Sequence, residues 1–504
     1  MSTMRKPAYA RMLPELLRGL TREAVPDIAV RGLSLDSRCI PPGGLFLARC
    51  GTREHGLRYV AEAIQKGAAA VAYEPADGIA APGLANGIPL IPVARLGHRA
   101  GTIAARFYAD PSADLAVTGV TGTNGKTSVT MILAQVLSDW DRPTGVIGTL
   151  GYGVFGKLTP GVETTPDAVR LQSVLADFRD QGSRDAAMEV SSHAIDQGRV
   201  EGVHFETTVF TNLTRDHLDY HGDMEAYRAA KGRLFEWPGL RRVVLNLDDP
   251  AAEYFAARAH PEVQQVGYGF GASPPGWFHG PRVFSRPLHG ECVLDLGIEG
   301  DFGAGRLRSR LFGHFNALNL LAVVAGLAAR GFDFQQTLAR VGQAQTIPGR
   351  MEKFGGGMHP LVVVDYAHTP DALAQALDAL RRHTRRRLIV VFGCGGDRDR
   401  GKRGQMGRVA AGRADAIILT DDNPRSEDPE SILADIRAGI PAGSAFDVER
   451  DRARAIARAY AGADAGDVVL VAGKGHEAVQ IIGNECHHYS DRDVVRRLVA
   501  GVQA

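Results

Sequence analysis

LAVTGVTGTNGKTSVTMILAQVL, residues 115–137, carries the clearest structural signal in the chain. An apolar run typical of a buried strand leads into a Gly-rich turn, and a Lys–Thr pair then opens a helical run. Backbone N–H groups in such a turn bind phosphate together with the N-terminus of the following helix. Lys126 would reach the terminal phosphates, and the Thr127 hydroxyl would bind Mg²⁺. The predicted ATP-binding loop consists of Thr121, Gly122, Thr123, Asn124, Gly125, Lys126 and Thr127.

This loop departs from the usual GxxxxGK[ST] spacing, because Val120 occupies the position of the first Gly. A strand-to-helix turn with a chance Gly-Lys-Thr is the alternative, but the strand–loop–helix context favours phosphate binding. Transporter motors, kinases, switches and ligases all use such loops. The loop therefore predicts a nucleotide and leaves the function open.

The bulk properties exclude several classes of protein. A chain of 504 residues is long enough for about three domains. The net charge of +1 gives no field that would favour nucleic acid or a membrane surface. The five Cys include no CxxC pair, so neither a disulfide framework nor a zinc site is indicated. We recognise no secretory signal and no bilayer-spanning segment, and we expect a cytoplasmic monomer.

Changes of pattern along the chain predict an α/β protein with three domains. Residues 1–112 alternate short strand-like runs with Ala-rich helical runs, and residues 113–346 contain the phosphate loop. Residues 347–504 repeat one pattern, an apolar run that ends in a polar loop, in HPLVVVDYAHTP, RRLIVVFGCGGDRD, ADAIILTDDNPR and DVVLVAGKGHE. That pattern is typical of a doubly wound, Rossmann-like domain, whose ligands bind beyond the carboxyl ends of the strands.

Three strings in the central block contain groups that bind metal or handle protons. Glu189 ends the predicted strand of MEVSSH, where a carboxylate would complete a Mg²⁺ shell. His217 lies in TNLTRDHLDYHG and Lys231 in YRAAKGRLF. Taken singly, each has an ordinary alternative: a solvated strand end, a structural His and a helix-surface Lys. The neighbouring acids Asp216 and Asp219 also fit as simple caps.

The strings together resemble a known family. TGTNGKT, MEVSSH, TNLTRDHLDYHG, YRAAKGRLF, HFNALN, PGRME and DYAHTPD occur in the order seen in the Mur ligases of peptidoglycan synthesis, and the match spans nearly the whole chain. GCGGDRD, DDNPR and GKGHE resemble the members that add a diamino acid. The resemblance implies a P-loop central domain, a Rossmann-like C-terminal domain and an ATP-dependent amide ligase. The implied reaction adds meso-2,6-diaminopimelate to UDP-N-acetylmuramoyl-L-alanyl-D-glutamate through an acyl phosphate.

The family pattern also implies roles for the single residues. Lys126, Glu189, His217 and Lys231 are the implied catalytic set. Thr127 and Glu189 would hold one Mg²⁺, and His217 and Lys231 would serve a second. Lys231 would carry a carbamate formed with CO₂ (N6-carboxylysine), which turns a cation into a bridging carboxylate.

Three positions outside the loop would bind the nucleotide by the same resemblance. They are Asn316, Arg350 and Asp365, contributed by a helix, a hinge and the third domain. Because Arg350 and Asp365 lie across the hinge from the phosphate loop, domain closure is expected to assemble the site.

The nucleotide-sugar dipeptide would bind across the first two domains. LSLDSR resembles the uridine motif, and VETTPD and SSHAIDQGR resemble the dipeptide strings. The implied residues are Leu35, Ser37, Thr52, Arg53, Glu54, Thr164, Thr165, Ser191, Gln197 and Arg199. Glu163 receives no role, since some relatives have Asn there.

The diamino acid is predicted at three consecutive strand ends of the third domain, which converge on one crevice in a doubly wound sheet. Arg398 and Arg425 offer guanidinium groups that suit carboxylates, and Glu477 can accept from an ammonium. L-Lysine has no distal carboxylate and would leave a desolvated Arg unpaired. The alternative for DDNPR is an Asx-type turn with a solvated Arg. The predicted contacts are Arg398, Asp422, Asn423, Pro424, Arg425, Gly473 and Glu477.

Three rival functions remain at this stage. Another amide ligase of the superfamily, such as folylpolyglutamate synthetase, would keep the phosphate loop but lack DNPR with GKGHE. A P-loop kinase or motor would not explain the string around Lys231. A non-catalytic nucleotide-binding regulator would not need Lys126, Glu189, His217 and Lys231 together.

Overall fold

The computed structural model describes residues 9–51, 54–76, 84–271, 275–288 and 294–501. The chain forms two compact units. The first comprises Met1–Thr121, Leu137–Thr208 and Arg233–Arg241, and the second Gly122–Val136, Val209–Gly232 and Arg242–Ala504. The domain limits predicted from the sequence, at 112/113 and 346/347, stay a prediction.

The first unit contains a five-stranded sheet. Its strands are parallel except for the pairing of Leu84–Ala85 with Ile88–Pro92. In sheet order they are Leu33–Ser34, Gly44–Ala48, Ala68–Tyr73, Ile88–Pro92 and Leu84–Ala85. An antiparallel ribbon of Arg11–Met12 and Ala29–Val30 precedes the sheet. The helices are Leu13–Leu17, Val60–Gln65 and Leu96–Phe107, with 3₁₀ turns at Ser37–Cys39, Gly56–Tyr59 and Pro111–Asp114.

A second group of strands in the first unit leads to the phosphate loop. In order these strands are Gly151–Val154, Thr144–Gly148, Asp185–Glu189 and Ala116–Thr121. The last three run parallel, so Glu189 and Val120 are neighbours at the carboxyl edge. The helices Ala168–Asp180 and Ser192–Asp196 follow their strands, and the strand Phe205–Phe210 leads into the second unit.

The second unit begins with the phosphate loop and the helices that face it. Its strands Arg242–Asn246, Gln264–Phe270, Arg282–Leu288, Leu294–Gly300 and Gly305–Ser309 are neighbours in that order. The first two pairings are parallel and the last two antiparallel. The helices are Lys126–Ser138, which ends in the first unit, Leu218–His221, Met224–Gly232, Ala252–Ala256, His314–Ala329 and Phe334–Gly342.

The rest of the second unit is a six-stranded sheet, and it confirms the four strands predicted from the repeated pattern. The order is Glu352–Gly355, Leu361–Asp365, Val468–Ala472, Leu388–Phe392, Ala416–Leu419 and Asp447–Val448. Every pairing is parallel except that of the first strand. The helices are Pro370–Arg381, Gly401–Arg413, Pro429–Arg437, Arg452–Ala461 and Asp491–Val499, and a hairpin joins Val479–Ile482 to Glu485–His488.

Burial on both faces explains why these strands are apolar throughout. Val363, Val390 and Leu470 pack on one face, and Val362 and Val391 pack on the other. Each such side chain contributes about 1.5–3 kcal/mol through burial. The polar residues follow only where the strands end, so the loops after Asp365, Phe392, Leu419 and Ala472 lie along one edge.

None of the helices in the described ranges combines the length and the hydrophobicity needed to cross a bilayer.

Candidate active site

The phosphate loop is held open by its own backbone and by the segment after Phe210. Gly122 and Gly125 have φ values of 149° and 85°, which favour glycine. The Asn124 N–H donates to Asn212 Oδ1 at 2.9 Å, and the Thr211 hydroxyl donates to the Asn124 carbonyl at 2.6 Å. The Lys126 ammonium donates to the carbonyls of Gly122 and Thr123 at 2.9 and 2.8 Å. The Lys126 ammonium thus lies against the loop, in a position from which it would reach a bound phosphate.

Gly122→Ala should strongly weaken the use of ATP. A Cβ at this position would lie 1.9 Å from Thr211 Oγ1, and the φ of 149° disfavours a side chain, so the loop must move. We expect kcat/KM for ATP to fall by about 100-fold or more, because a misplacement of about 1 Å already costs that much. Steady-state kinetics with varied ATP measures it. Gly331→Ala is the matched control, since Gly331 has a φ of 83° but open space around it. An unchanged KM for ATP in Gly122→Ala would contradict the role of the loop.

Lys231 is a buried amine against the phosphate loop. Its side chain donates to the Gly122 carbonyl at 2.9 Å and lies over the ring of Tyr227, 4.6 Å from the centroid. Burial first, and then the nearby Lys126 ammonium, hold the pKa of Lys231 well below its usual range. The alternative of a helix-surface Lys is therefore wrong, because only 1% of Lys231 is exposed.

Asp216 is the centre of a charged cluster beside His217. Its carboxylate lies 3.3 Å from His217 Nε2, 3.6 Å from His368 Nε2 and 3.6 Å from Lys402 Nζ. Burial alone would raise the pKa of Asp216, but these three groups hold it well below its usual range. The interpretation of Asp216 as a simple cap missed this role. A carboxylate that fixes the ring of His217 orients it for any ligand it binds.

The predicted nucleotide residues from the hinge and the third domain approach the loop. Arg350 donates from Nη2 to the Thr127 hydroxyl at 2.9 Å and stacks on Tyr366 at 4.3 Å. Asp365 is buried, accepts from the Met351 N–H at 2.8 Å, and has its pKa raised by that burial. Asn316 is also buried and donates to the Phe312 carbonyl at 2.9 Å. The contact of Arg350 with Thr127 joins the hinge to the phosphate loop.

The predicted metal ligands are distributed over both units. Glu189 lies in the first unit, where the Thr149 N–H donates to its Oε1 at 2.8 Å. Thr127, His217 and Lys231 lie in the second. Among the residues that the structure describes, no three His, Cys, Asp or Glu side chains group closely enough to hold a metal ion. The predicted metal ligands include two groups of other types, the Thr127 hydroxyl and a carbamate on Lys231.

The residues predicted for the dipeptide form one cluster in the first unit. The Thr165 hydroxyl donates to the Glu189 carbonyl at 2.8 Å and accepts from the Ser191 N–H at 3.2 Å. Arg199 donates to the Thr165 carbonyl at 3.0 Å and to Gln197 Oε1 at 2.7 Å. The Thr164 hydroxyl contacts that of Thr149 at 3.1 Å.

Glu163, which received no role from the sequence, pairs with Arg199 at 2.6 Å. The cluster therefore contains a guanidinium that already holds one carboxylate.

The residues predicted for uridine lie around the five-stranded sheet. Leu35 is half-buried, and the buried Ser37 hydroxyl donates to Glu62 at 2.5 Å. Glu54 is exposed and pairs with Arg58 at 3.0 Å. Thr52 and Arg53 lie outside the described residues.

The two guanidinium groups predicted to bind the diamino acid are neighbours. A Cβ on Gly395 would lie 2.8 Å from Arg425 Nη1 and 3.7 Å from Arg398 Cγ. In the described ranges their side chains donate only to backbone, Arg425 to the Gly396 carbonyl at 2.8 Å and Arg398 to that of Asp397 at 2.9 Å. Burial first, and then the charge of Arg398, lower the pKa of Arg425. This edge therefore has two cations close together, and the charges of Asp422, Glu477 and Asp397 act on Arg425 without an ion pair being formed.

Arg398 also opens onto a cleft of about 680 Å³. Its lining is highly charged, and Arg425 is not part of it. The lining residues are Arg215, Leu218, Asp219, Gly222, Asp223, Met224, Arg398, Asp399, Arg400 and Gly401.

The remaining residues of this predicted pocket also converge. Asn423 donates from Nδ2 to Glu477 Oε2 at 2.9 Å. A Cβ on Gly473 would lie 2.6 Å from Asp422 Oδ2, so the two loops touch there. Pro424 is buried, and a Cβ on Gly396 would lie 1.9 Å from its carbonyl oxygen. The structure brings together the loops that contain Arg398, DNPR and GKGHE.

Sequence reasoning passed over several residues that complete these sites. His368 and Asp371 lie in DYAHTPD and Lys474 lies in GKGHE, yet only Asp365, Gly473 and Glu477 of those strings received roles. Asp371 accepts from Asn124 of the phosphate loop at 3.4 Å, and its pKa is raised by burial. These residues could have been identified from the sequence, because each is a polar residue in the first turns after a predicted buried strand.

Comparison with protein families gives three consecutive matches. The chain matches the model for the Mur ligase family, catalytic domain, at residues 29–108. It matches the Mur ligase middle domain at 120–327 and the Mur ligase, glutamate ligase domain, at 349–475.

Similar proteins have names that agree with these matches. A relative from Ectopseudomonas mendocina is 49% identical over 479 residues, 95% of this chain and 97% of the relative. One from Coxiella burnetii is 45% identical over 491 residues, 96% of this chain and 99% of the relative. Both are named UDP-N-acetylmuramoyl-L-alanyl-D-glutamate–2,6-diaminopimelate ligase.

Solved structures show the same likeness. A ligase structure of that name aligns with a TM-score of 0.69 and 36% identity, over 98% of this chain and 99% of the other. MurF from Thermotoga maritima in complex with ADP has a TM-score of 0.63 and 19% identity, over 88% and 94% of the two chains, and shares the fold.

Proposed function

The chain belongs to the Mur ligase family, and we propose that it joins meso-2,6-diaminopimelate to UDP-N-acetylmuramoyl-L-alanyl-D-glutamate with cleavage of ATP. The protein is an acid–amino-acid ligase of the three-domain Mur architecture and acts in peptidoglycan precursor synthesis. The γ-phosphoryl group of ATP passes to the free carboxylate of the dipeptide, and ADP leaves. The amine of the diamino acid attacks this acyl phosphate, releases inorganic phosphate and loses a proton as the amide forms.

The nucleotide end of the site rests on the phosphate loop. Ligases of this family use ATP and Mg²⁺. Thr121–Thr127 would bind the phosphates, with Lys126 and Arg350 supplying positive charge. Arg350 already contacts the Thr127 hydroxyl at 2.9 Å, so one side chain from the hinge lies where terminal phosphates would sit. Asn316 and Asp365 would complete the nucleotide site.

The metal end of the proposal depends on Lys231. Thr127 and Glu189 would hold one Mg²⁺, and His217 and a carbamate on Lys231 would hold a second. Bound Mg²⁺ neutralises the charge that develops on the transferred phosphoryl group. A buried amine whose pKa is held far below its usual range favours the neutral form, which is the form that reacts with CO₂. The environment of Lys231 therefore fits the modified residue.

The acceptor end rests on the cluster in the first unit. Thr164, Thr165, Ser191, Gln197 and Arg199 would bind the dipeptide, and their hydrogen bonds to one another support this. Leu35, Ser37, Thr52, Arg53 and Glu54 would bind the uridine part.

One observation carries the choice of diamino acid. Arg425 is half-buried beside Arg398, and neither guanidinium has an acidic partner within ion-pair distance in the described residues. Arg398 is exposed, but a half-buried guanidinium such as that of Arg425, next to a second cation, is costly unless a ligand brings a carboxylate. Diaminopimelate has a carboxylate at each end, whereas L-lysine has only one. Arg398, Asp422, Asn423, Pro424, Arg425, Gly473 and Glu477 would form the pocket.

The test is the release of phosphate from ATP with purified full-length protein. We expect release only when UDP-N-acetylmuramoyl-L-alanyl-D-glutamate and meso-diaminopimelate are both present, with the amide product seen by mass spectrometry. L-Lysine in place of diaminopimelate should give little turnover. Release that continues without any amine would point to an ATPase and would overturn the proposal.

A further inference from the structure

Lys474 is a fully buried lysine inside the pocket proposed for the diamino acid. Its relative exposure is 0%. Nζ donates to Asn423 Oδ1 at 2.8 Å and to Glu477 Oε2 at 3.0 Å, and Asp422 Oδ1 lies 3.9 Å away. All three partners are residues proposed to contact the diamino acid. A buried ammonium whose N–H groups donate to substrate-binding residues can control the positions of those residues.

The contacts of Lys474 fix the orientation of Asn423. Asn423 Oδ1 accepts from Lys474 Nζ and also from the Ile481 N–H at 3.0 Å. These two donors fix which end of the Asn423 amide is the oxygen, because in the flipped orientation its NH₂ group would face two other N–H donors. The Nδ2 group is thereby directed to Glu477 Oε2 at 2.9 Å.

Glu477 is then held by one oxygen only. Both Asn423 Nδ2 and Lys474 Nζ donate to Oε2, and within the described residues Oε1 has no hydrogen-bond partner. One carboxylate oxygen is satisfied inside the protein, and the other is left for a donor from outside. An ammonium group of the substrate is such a donor.

We infer that Lys474 is a positioning residue for the diamino acid, which acts by locking Asn423 and by turning Oε1 of Glu477 toward the substrate ammonium. This inference rests on the proposed function. It adds a cation to the pocket that does not touch the substrate and whose effect passes through Glu477.

Lys474→Met keeps the length of the side chain and removes the ammonium. We expect KM for diaminopimelate to rise by about 10- to 100-fold, because a buried hydrogen-bonded charge pair loses one partner. KM for ATP should stay within about 2-fold, since the phosphate loop keeps its contacts with Arg350 and Asp371. If Lys474 were only structural, Lys474→Met would not raise KM for diaminopimelate more than KM for ATP. It would instead lower the apparent kcat, because less of the enzyme would be folded.

Arg387→Met is the matched control. Arg387 pairs with the buried Asp467 at 2.6 Å, at the opposite end of the same strands. This variant should lose thermal stability to a similar degree while its KM for diaminopimelate is unchanged.

A double-mutant cycle with Glu477→Gln tests whether Lys474 acts through Glu477. If it does, Lys474→Met combined with Glu477→Gln should have the same KM for diaminopimelate as Glu477→Gln alone. Effects that multiply would overturn the inference, as would an unchanged KM in Lys474→Met. If Lys474→Met does not fold, the double variant can be used in its place, because Glu477→Gln removes the carboxylate that Lys474→Met would leave unpaired. Its KM for diaminopimelate is then compared with that of Glu477→Gln alone. Absence of diaminopimelate-dependent phosphate release in the unmodified protein would instead refute the proposed function.

Discussion

Arg425→Ala should lower kcat/KM for diaminopimelate by about 100- to 1000-fold, the cost of removing one partner from a buried charge pair. The preference for diaminopimelate over L-lysine should fall with it, because L-lysine never uses the distal carboxylate site. KM for ATP should change little. Steady-state kinetics with each diamino acid measures the ratio. Equal losses with both diamino acids, together with a raised KM for ATP, would show that Arg425 only shapes the turn.

The backbone at Arg425 supports a functional reason for the side chain. Its φ is 54°, in the left-handed region, where a side chain costs about 1 kcal/mol relative to Gly. A turn that needed only this conformation would use Gly or Asn. Its N–H donates to the Ile481 carbonyl at 3.1 Å, and its carbonyl accepts from the Gly483 N–H at 2.7 Å. The strained position is thus held from both sides, with the guanidinium next to Arg398.

Two further variants separate the effects at this position. Arg425→Gly removes the same guanidinium as Arg425→Ala but relaxes the backbone, so an equal kinetic loss in both assigns the loss to the side chain. Arg400→Ala is the matched control, since Arg400 is exposed and pairs with Glu427 at 3.4 Å. An exposed pair of this kind contributes about 0–1 kcal/mol, so its kinetics should stay near those of the unmodified protein.

The six-stranded sheet of the second unit was predictable because the sequence signal for each of its strands is local. Each strand, such as Leu388–Phe392, is buried on both faces and therefore reads as an unbroken apolar run that ends in polar residues. The helices between the strands imply that the strands run parallel. Parallel strands place their carboxyl ends at one edge, so the three loops that follow them converge there. The phosphate loop was predictable for the same reason, because strand, loop and helix are contiguous.

The partners of the site residues were not predictable, because their contacts join distant parts of the chain. Asp216 meets His368 and Lys402, which are far away in sequence. Lys474 was hidden by its residue type, since a lysine between two glycines is ordinarily solvated. The burial of Lys231 was missed because YRAAKGRLF is amphipathic and gives no sign that the lysine lies on its covered side.

Two buried lysines in the second unit show why the environment matters. Lys402 is 6% exposed and lies 3.6 Å from the carboxylate of Asp216. Lys231 is 1% exposed, and its contacts are a carbonyl and an aromatic ring, with the Lys126 ammonium nearby. A carboxylate stabilises the charged form of a buried amine, whereas a second ammonium destabilises it. Burial and the Lys126 ammonium lower the pKa of Lys231 although the charge of Asp216 acts in the opposite direction, and this supports the proposal that Lys231 is the amine that reacts with CO₂.

Lys231→Ala should lower kcat by about 1000-fold or more, since it removes the carbamate that would hold the second Mg²⁺ with His217. In the unmodified protein, ¹³C-labelled bicarbonate should produce a carbamate resonance that is absent in Lys231→Ala and retained in Lys402→Met. Because CO₂ adds only to the neutral amine, the resonance should grow as the pH is raised and fall on acidification. Activity lost after CO₂-free acid treatment should return when bicarbonate is added. Full activity without any carbamate resonance would mean that Lys231 serves as an amine, held beside the Gly122 carbonyl, and that the second metal has other ligands.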